Sequence, residues 1–322
     1  MTYNILTYQN DLQLYWDDFI KRSANGTFLH LRPYMDYHAD RFDDASLLIY
    51  EGLKIKAVLP AHRIEKALIA HNGLTYSDFI FHKKLKLSHK VDIIRQVLHH
   101  LHNNGVEKLH IKSIPFFYHT QIDESNAYIY FQAGAKISLI KPFFVIMPQN
   151  GSRNNHNREK NMRKLQDVDY QLLESPEWLP EFWEIVQENL QSRYQTAPVH
   201  SLEEMQLLMQ RFPDNIKLYG VQLNGKLLAG ALTYFINQTV HFQYIHSVQD
   251  TTHRKAVEWL TYKVIENFQD YNYISFGSSE TGKNQINGGL AYWKESFGSR
   301  ILNQVFYKID TQNHHLLNDT IQ

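Results

Sequence analysis

Two distant stretches of the sequence have the same form. LLIYEGLKIKAVLPAHRI (47–64) is an apolar run, a turn at Glu51-Gly52 and a second apolar run. KLYGVQLNGKLLAGALTYFI (217–236) repeats that form around Asn224-Gly225. Asn-Gly between apolar runs is a strong hairpin signal, because both turn residues must take positive φ. Setting Lys54 against Lys226 also sets Ala57 against Ala229.

The parallel continues downstream. HKVDIIRQVLHHLHNN (89–104) places Val91, Ile94, Val97, Leu98 and Leu101 at helical spacing, and EKLHIKSI (107–114) reads as a strand. In the second half HRKAVEWLTYKVIENFQ (253–269) is the helix and YNYISFG (271–277) the strand. Each half is hairpin, further strand, helix, strand, which predicts a mixed α/β fold built from one unit used twice. The polar, Gly/Asn/Arg-rich PQNGSRNNHNREKN (148–161) sets the expected boundary, giving domains 1–150 and 151–322.

Composition narrows the chemistry. Lys plus Arg number 33 and Asp plus Glu 33, so the formal net charge is zero, which argues against DNA or a charged membrane surface as a general partner. There is no cysteine, so disulfides, cysteine-zinc sites and thiol catalysis are excluded. MTYNILTYQNDLQLYW lacks a basic segment followed by an apolar core, and FFVIM is too short to span a bilayer. A cytoplasmic protein without membrane insertion is expected. His99 and His102 stand one helical turn apart but lack nearby carboxylates, so they read as a solvated helix end and no metal is expected.

FGSSETGKNQ (276–285) nearly spells a phosphate-binding loop, with Gly277, Gly282 and Lys283 in G-x-x-x-x-G-K. Asn284 stands where a Ser or Thr hydroxyl should hold magnesium. Such loops open onto a helix, whereas here Gly288-Gly289 follows and opposes one. The stretch therefore reads as a ligand-facing loop at the carboxyl end of a strand, not as a nucleotide site.

At this point the residues resemble a family. Hairpin, strand, helix and strand describe the GNAT acyltransferase unit. Two in tandem resemble the Fem-type group (FemAB-like and BioF2-like acetyltransferase domains), which includes aminoacyl-tRNA-dependent peptidoglycan ligases. The resemblance runs from TFLHLRPYMDYHADRF (27–42) almost to the end of the chain. Its most specific pieces are NREKNMRKLQ (157–166), RYQTAPVHSLEEM (193–205), LAGALTYF (228–235), VHFQYI (240–245), FGSSETGKNQINGGL (276–290) and WKESFGSR (293–300). It implies two GNAT-like domains, each a mostly antiparallel sheet flanked by helices, with the acyl-transfer site in the second. The family's glycine-containing pyrophosphate loop is missing: SVQDTTHRKAVEWL (247–260) has no glycine. A helix N-terminus with His253, Arg254 and Lys255 is left to hold an acyl-CoA.

Acyl transfer to an amine needs a bound acyl group, a stabilised oxyanion and a proton acceptor. Glu280 in the post-strand loop is the candidate acceptor, against a solvated carboxylate. His241 and Gln243 share one face of a strand and alternate with Phe242 and Tyr244; a core histidine is the alternative to a catalytic one. Lys294 either fixes an anionic group or pairs with Glu295 or Glu280. Arg193 and His200 flank the Pro198 turn over the cleft, and Tyr244 and Tyr76 join them as substrate-binding candidates. Asn287 with Gly288 and Gly289 reads as a tight turn, with substrate contact as the alternative. The basic run Arg158, Lys160, Arg163, Lys164 reads as a solvated linker, or as a contact for an anionic acceptor.

The function expected is N-acyl transfer, acetyl in the first instance, from an acyl-CoA to an amine on a small-molecule, lipid-linked or sugar-linked cell-envelope precursor. Two alternatives stay open: a Fem-type transferase drawing on aminoacyl-tRNA, and a binding module with a decayed site.

Overall fold

The computed structural model describes residues 2–321, apart from 152–153, 250–254 and 282–284. By compactness the chain forms two units, Met1–Lys141 with Asn303–Gln322, and Pro142–Leu302. The return of the last residues to the first unit has no counterpart in the sequence pattern.

The first unit opens with β1 (Asn4–Thr7), α1 (Gln13–Arg22) and the single turn α2 (Arg32–Met35). Strands β2 (Leu47–Glu51) and β3 (Lys54–Leu59) make the expected hairpin, and β4 (His62–Ile64) and β5 (Ala67–Ile69) a shorter one. β6 (Ile80–Phe81) leads into α3 (Leu87–Asn103), β7 (Lys108–Lys112), α4 (Ser125–Gln132) and β8 (Lys136–Ile146). The second unit adds α5 (His156–Lys164), β9 (Gln171–Glu174), α6 (Leu179–Tyr194), α7 (Leu202–Arg211), β10 (Ile216–Leu223) and β11 (Lys226–Ile236). Then come β12 (Thr239–Ser247), α8 (Ala256–Asn267), β13 (Tyr273–Ser278) and α9 (Gly288–Glu295), and β14 (Arg300–Asp310) carries the chain back into the first unit.

Strands of the first unit run β1-β2-β3-β6 in one sheet and β4-β5-β7-β14-β8 in another; in the second unit the order is β8-β13-β12-β11-β10-β9. The apolar stripe read from the sequence buries α3 through Val91, Ile94, Val97, Leu98 and Leu101, against Leu109 and Ile111 of β7. In the second unit Ala256, Leu260 and Val264 of α8 pack on Ala229, Ala231, Phe242 and Ile274.

The repeat survives in backbone detail. In the β2–β3 hairpin Ile49 faces Ala57 and Tyr50 faces Ile55, leaving Lys56 as a bulge. In the β10–β11 hairpin Val221 faces Ala229 and Gln222 faces Leu227, leaving Leu228. Lys56 and Leu228 are equivalent when Lys54 is set on Lys226, so both hairpins bulge at one position. The turns differ. Asn224 and Gly225 both have positive φ, as Asn-Gly requires, while the first hairpin turns one residue later than expected, at Gly52-Leu53, with only Gly52 (φ 58°) positive.

The basic run at 158–164 lies on α5, and Arg158 is not solvated linker. Its guanidinium is buried, donates to Ser296 Oγ, pairs with Glu258 and lies 4.2 Å from the Phe297 ring centroid.

His30, His71 and His241 are among the buried histidines. Burial pulls their pKa values down to about 3, 2 and 3. Folded, they stay neutral below pH 6.5, while the unfolded chain takes up protons there, so stability must fall as pH falls below 6.5. Each histidine contributes up to about 1.4 kcal/mol per pH unit. The urea midpoint should drop steeply between pH 6.5 and 5; a midpoint constant over that interval contradicts the assignment.

Candidate active site

Both units hold a short parallel strand pair joined through a helix. In the second, β12 and β13 pair only at Thr239–Tyr273, Val240–Ile274 and His241–Ser275. In the first, β5 and β7 pair only at Ala67–Lys108, Leu68–Leu109 and Ile69–His110. Beyond three residues the strands of each pair diverge, and the two units treat the gap differently.

The first unit fills its gap with its own chain. Residues 74–77 come back along β7: the Ser77 N–H donates to the Lys112 carbonyl at 2.8 Å, and Lys112 Nζ to the Leu74 carbonyl at 2.5 Å. Gln304 Nε2 then donates to the carbonyls of Thr75 and Ser113. Tyr76, a substrate-binding candidate, belongs to this plug; it is buried, donates to Thr27 Oγ1 at 3.1 Å and stacks on Tyr118.

The second unit leaves its gap open. A cavity of about 1080 Å³ lies there, walled by β12 from Phe242 to Ser247, by Phe276 and Ser278–Thr281, and by residues of α6, α8 and α9. Among the described residues no strand pairs with the β13-facing edge of β12 beyond His241. Its backbone groups are therefore available to a ligand lying in the gap.

A bulge shapes the wall. Leu232 faces Tyr244 and Thr233 faces Phe242, so Gln243 is the extra residue. Gln243 stands between His241 and Tyr244 on the strand, so the bulge adds Tyr244 to the face that alternation assigns to His241 and Gln243. Tyr244 is held by a 2.9 Å bond between its hydroxyl and His200 Nδ1 and by an edge contact with Trp183. Burial pushes the Tyr244 phenol up to about 12, so it stays protonated. His241 itself is buried, with Nδ1 3.2 Å from Ser275 Oγ. Burial first, then the Lys294 charge, keeps it neutral, which suits a support beneath the wall better than a base.

Lys294 is buried too, and its pKa is pulled down to about 7 by burial. Its three N–H bonds go to the carbonyls of Phe276 (2.9 Å), Gly277 (3.4 Å) and Ser278 (2.7 Å), which ties down the end of β13. Among the described residues it has no acidic partner, so of its two readings the pairing with Glu295 or Glu280 gives way to these carbonyls.

The FGSSETGKNQ stretch folds back on itself. Glu280 bridges Ile286, and the Thr281 N–H donates to the Gln285 carbonyl; Gly282, Lys283 and Asn284 lie outside the described residues. Among its described residues no helix opens. α9 starts only at Gly288, and here the sequence reading needs correction: the two glycines begin a helix instead of opposing one. Asn287 caps it by accepting from the Leu290 N–H at 3.0 Å, which offsets the glycines' low propensity. Asn287 and Glu280 both line the cavity.

Arg193 also lines the cavity from α6. Lys255 is exposed beside the first turn of α8, whose Val257 and Glu258 reach the wall. His253 and Arg254 lie outside the described residues. Sequence reasoning missed Asn189, His246 and Ser279. Asn189 Nδ2 donates to the Ser247 carbonyl at 2.8 Å and so clamps β12 to α6. Ser279 is buried with an unpartnered hydroxyl on the cavity wall. Only His246 carried a signal, lying two residues beyond Tyr244 on the same strand.

Gly277 has φ +67°, and a Cβ there would lie 3.2 Å from His241 Cε1. Gly277→Ala should therefore destabilise the fold by about 1–3 kcal/mol, the usual cost of a strained backbone position. Urea unfolding measures this, and a loss below about 0.5 kcal/mol, as at an ordinary surface site, contradicts it.

Residues 150–282 match the model of the acetyltransferase (GNAT) domain. No curated protein matches the chain. Among solved structures, FemX is similar with a TM-score of 0.69 at 11% identity, over 98% of this chain and 100% of that one. L-PGS from Bacillus licheniformis is similar with a TM-score of 0.58 at 9% identity, over 86% and 88%. The tandem GNAT protein from the clavulanic acid biosynthesis pathway gives 0.50 at 10% identity, over 96% and 99%. With one GNAT-domain match and a tandem architecture shared along its length, the chain is an acyltransferase with a Fem-like tandem GNAT fold.

Proposed function

We propose that the chain is an N-acyltransferase that moves an acyl group, acetyl in the first instance, from an acyl-CoA to an amine of a cell-envelope or polysaccharide precursor. The observation that carries this reading is the open gap between β12 and β13, with its unpaired strand edge and the bulge at Gln243. An acyl-CoA bound there supplies the activated acyl carbonyl. The residues fit such a donor: the cavity of about 1080 Å³ has room for it, the β12 edge offers backbone N–H groups, and Ser279, whose buried hydroxyl has no partner, is among the lining residues.

In this reading the β12 edge donates N–H bonds to the oxygen on which charge develops. Glu280, partly buried on the opposite wall, accepts the proton that the amine must lose. Tyr244, held by His200, fixes the wall, and Lys294 keeps the end of β13 in place. Arg193 is the exposed cation at the cavity mouth and suits an anionic part of the donor or acceptor.

Two measurements test the reading. At about 100 times Kd an acyl-CoA should add about 2.7 kcal/mol to stability, several degrees in Tm. With a substrate pair, Glu280→Gln should lower kcat by about 10²–10⁴ while leaving Tm unchanged. Stabilisation by aminoacyl-tRNA, with none by any acyl-CoA at millimolar concentration, would replace the donor. Wild-type turnover in Glu280→Gln would remove Glu280 from the chemistry.

A further inference from the structure

The first unit holds a second cavity, of about 680 Å³, within the range of small-molecule sites. It is lined by Tyr8, Asp11, Arg32, Asp36, Phe42, Asp44 and His71, among others. Arg32 is its centre. The guanidinium is only 4% exposed and lies 3.8 Å from the Tyr8 ring centroid. Its Nη2 pairs with Asp36 at 2.6 Å and also with Asp44. Nη1 is buried and has no partner.

His71 is likewise buried, 4.9 Å from the Phe42 ring, and its Nδ1 has no partner. It is neutral for the reason given above, so one of its ring nitrogens carries a lone pair. A buried donor and a buried imidazole nitrogen left unanswered on one wall are costly unless something answers them.

The charges select the ligand. Three carboxylates, Asp11, Asp36 and Asp44, line the cavity with one guanidinium, so a bare anion is repelled. A bare ammonium suits the carboxylates but leaves Arg32 Nη1 without an acceptor. We propose that this pocket binds a small amine carrying an oxygen acceptor on the carbon adjacent to the one that bears its ammonium, the arrangement common to 2-amino sugars and α-amino acids. The ammonium goes to Asp44 and Asp11, the oxygen to Arg32 Nη1, and Tyr8 and Phe42 cover the carbon skeleton. This site belongs to the first unit and stands whether or not the acyl-transfer reading of the second does.

Titration calorimetry on the full chain tests it with four probes: glucosamine, N-acetylglucosamine, serine and ethylamine. Glucosamine, serine or both should bind; whichever does identifies the source. N-acetylglucosamine, whose nitrogen is uncharged, and ethylamine, which lacks the oxygen, should bind at least about tenfold more weakly, the worth of one charge-assisted hydrogen bond. Asp44→Asn should weaken the bound probe at least about tenfold. Because that change also loosens Arg32, exposed Asp11→Asn serves as the second variant and should weaken it about threefold or more. Absence of binding by glucosamine and serine at millimolar concentration overturns the proposal. So does equal binding of N-acetylglucosamine or ethylamine, or binding unchanged in both variants.

Discussion

The second unit depends on how briefly β12 and β13 pair. Parallel strands joined through α8 meet at three positions and then part. Sheet twist favours divergence, but an unpaired strand edge inside a protein is costly unless it is filled or wetted. The first unit meets the same constraint and fills it with residues 74–77, locked by Lys112 and Gln304. The second keeps the gap and lines it with a polar loop. One repeated unit thus yields a closed copy and an open one, and the open copy coincides with the GNAT-domain match.

Holding such a gap open takes rigid walls. On one side Tyr244 links to His200, and Asn189 ties the end of β12 to α6. On the other, Lys294 binds three consecutive carbonyls at the end of β13. These carbonyls keep the buried Lys294 amine hydrogen-bonded, while burial lowers its pKa to about 7. Gly277 completes the arrangement, since its left-handed backbone turns the chain beside His241 with no side chain to clash.

What was legible in the sequence was local. The hairpins announced themselves through Asn224-Gly225 and the matching run at 47–64, and α3 through its apolar stripe. The grouping of Glu280, Gln243, Tyr244, Asn287 and Lys294 around one cavity was also within reach, because Gln243 and Tyr244 lie on β12 and the other three follow β13 in the loop and helix after it. Features set by pairing across the sheet were not legible. The bulge at Gln243 depends on the register with β11, and the plug at 74–77 on backbone bonds to β7. Lys294 looked like an ion-pair partner because sequence displays side-chain charges and hides carbonyls. Gly288-Gly289 looked like a helix breaker because propensity was weighed without the cap that Asn287 supplies.

The central claim is that the β13-facing edge of β12 is where the acyl donor lies. Amide hydrogen exchange measured with and without acetyl-CoA addresses it directly. The account predicts slowed exchange in the peptide covering residues 242–249, with residues 67–77 and 108–114 of the plugged first unit unchanged. Protection confined to the first unit, or none in residues 242–249 when the ligand is bound, would contradict it.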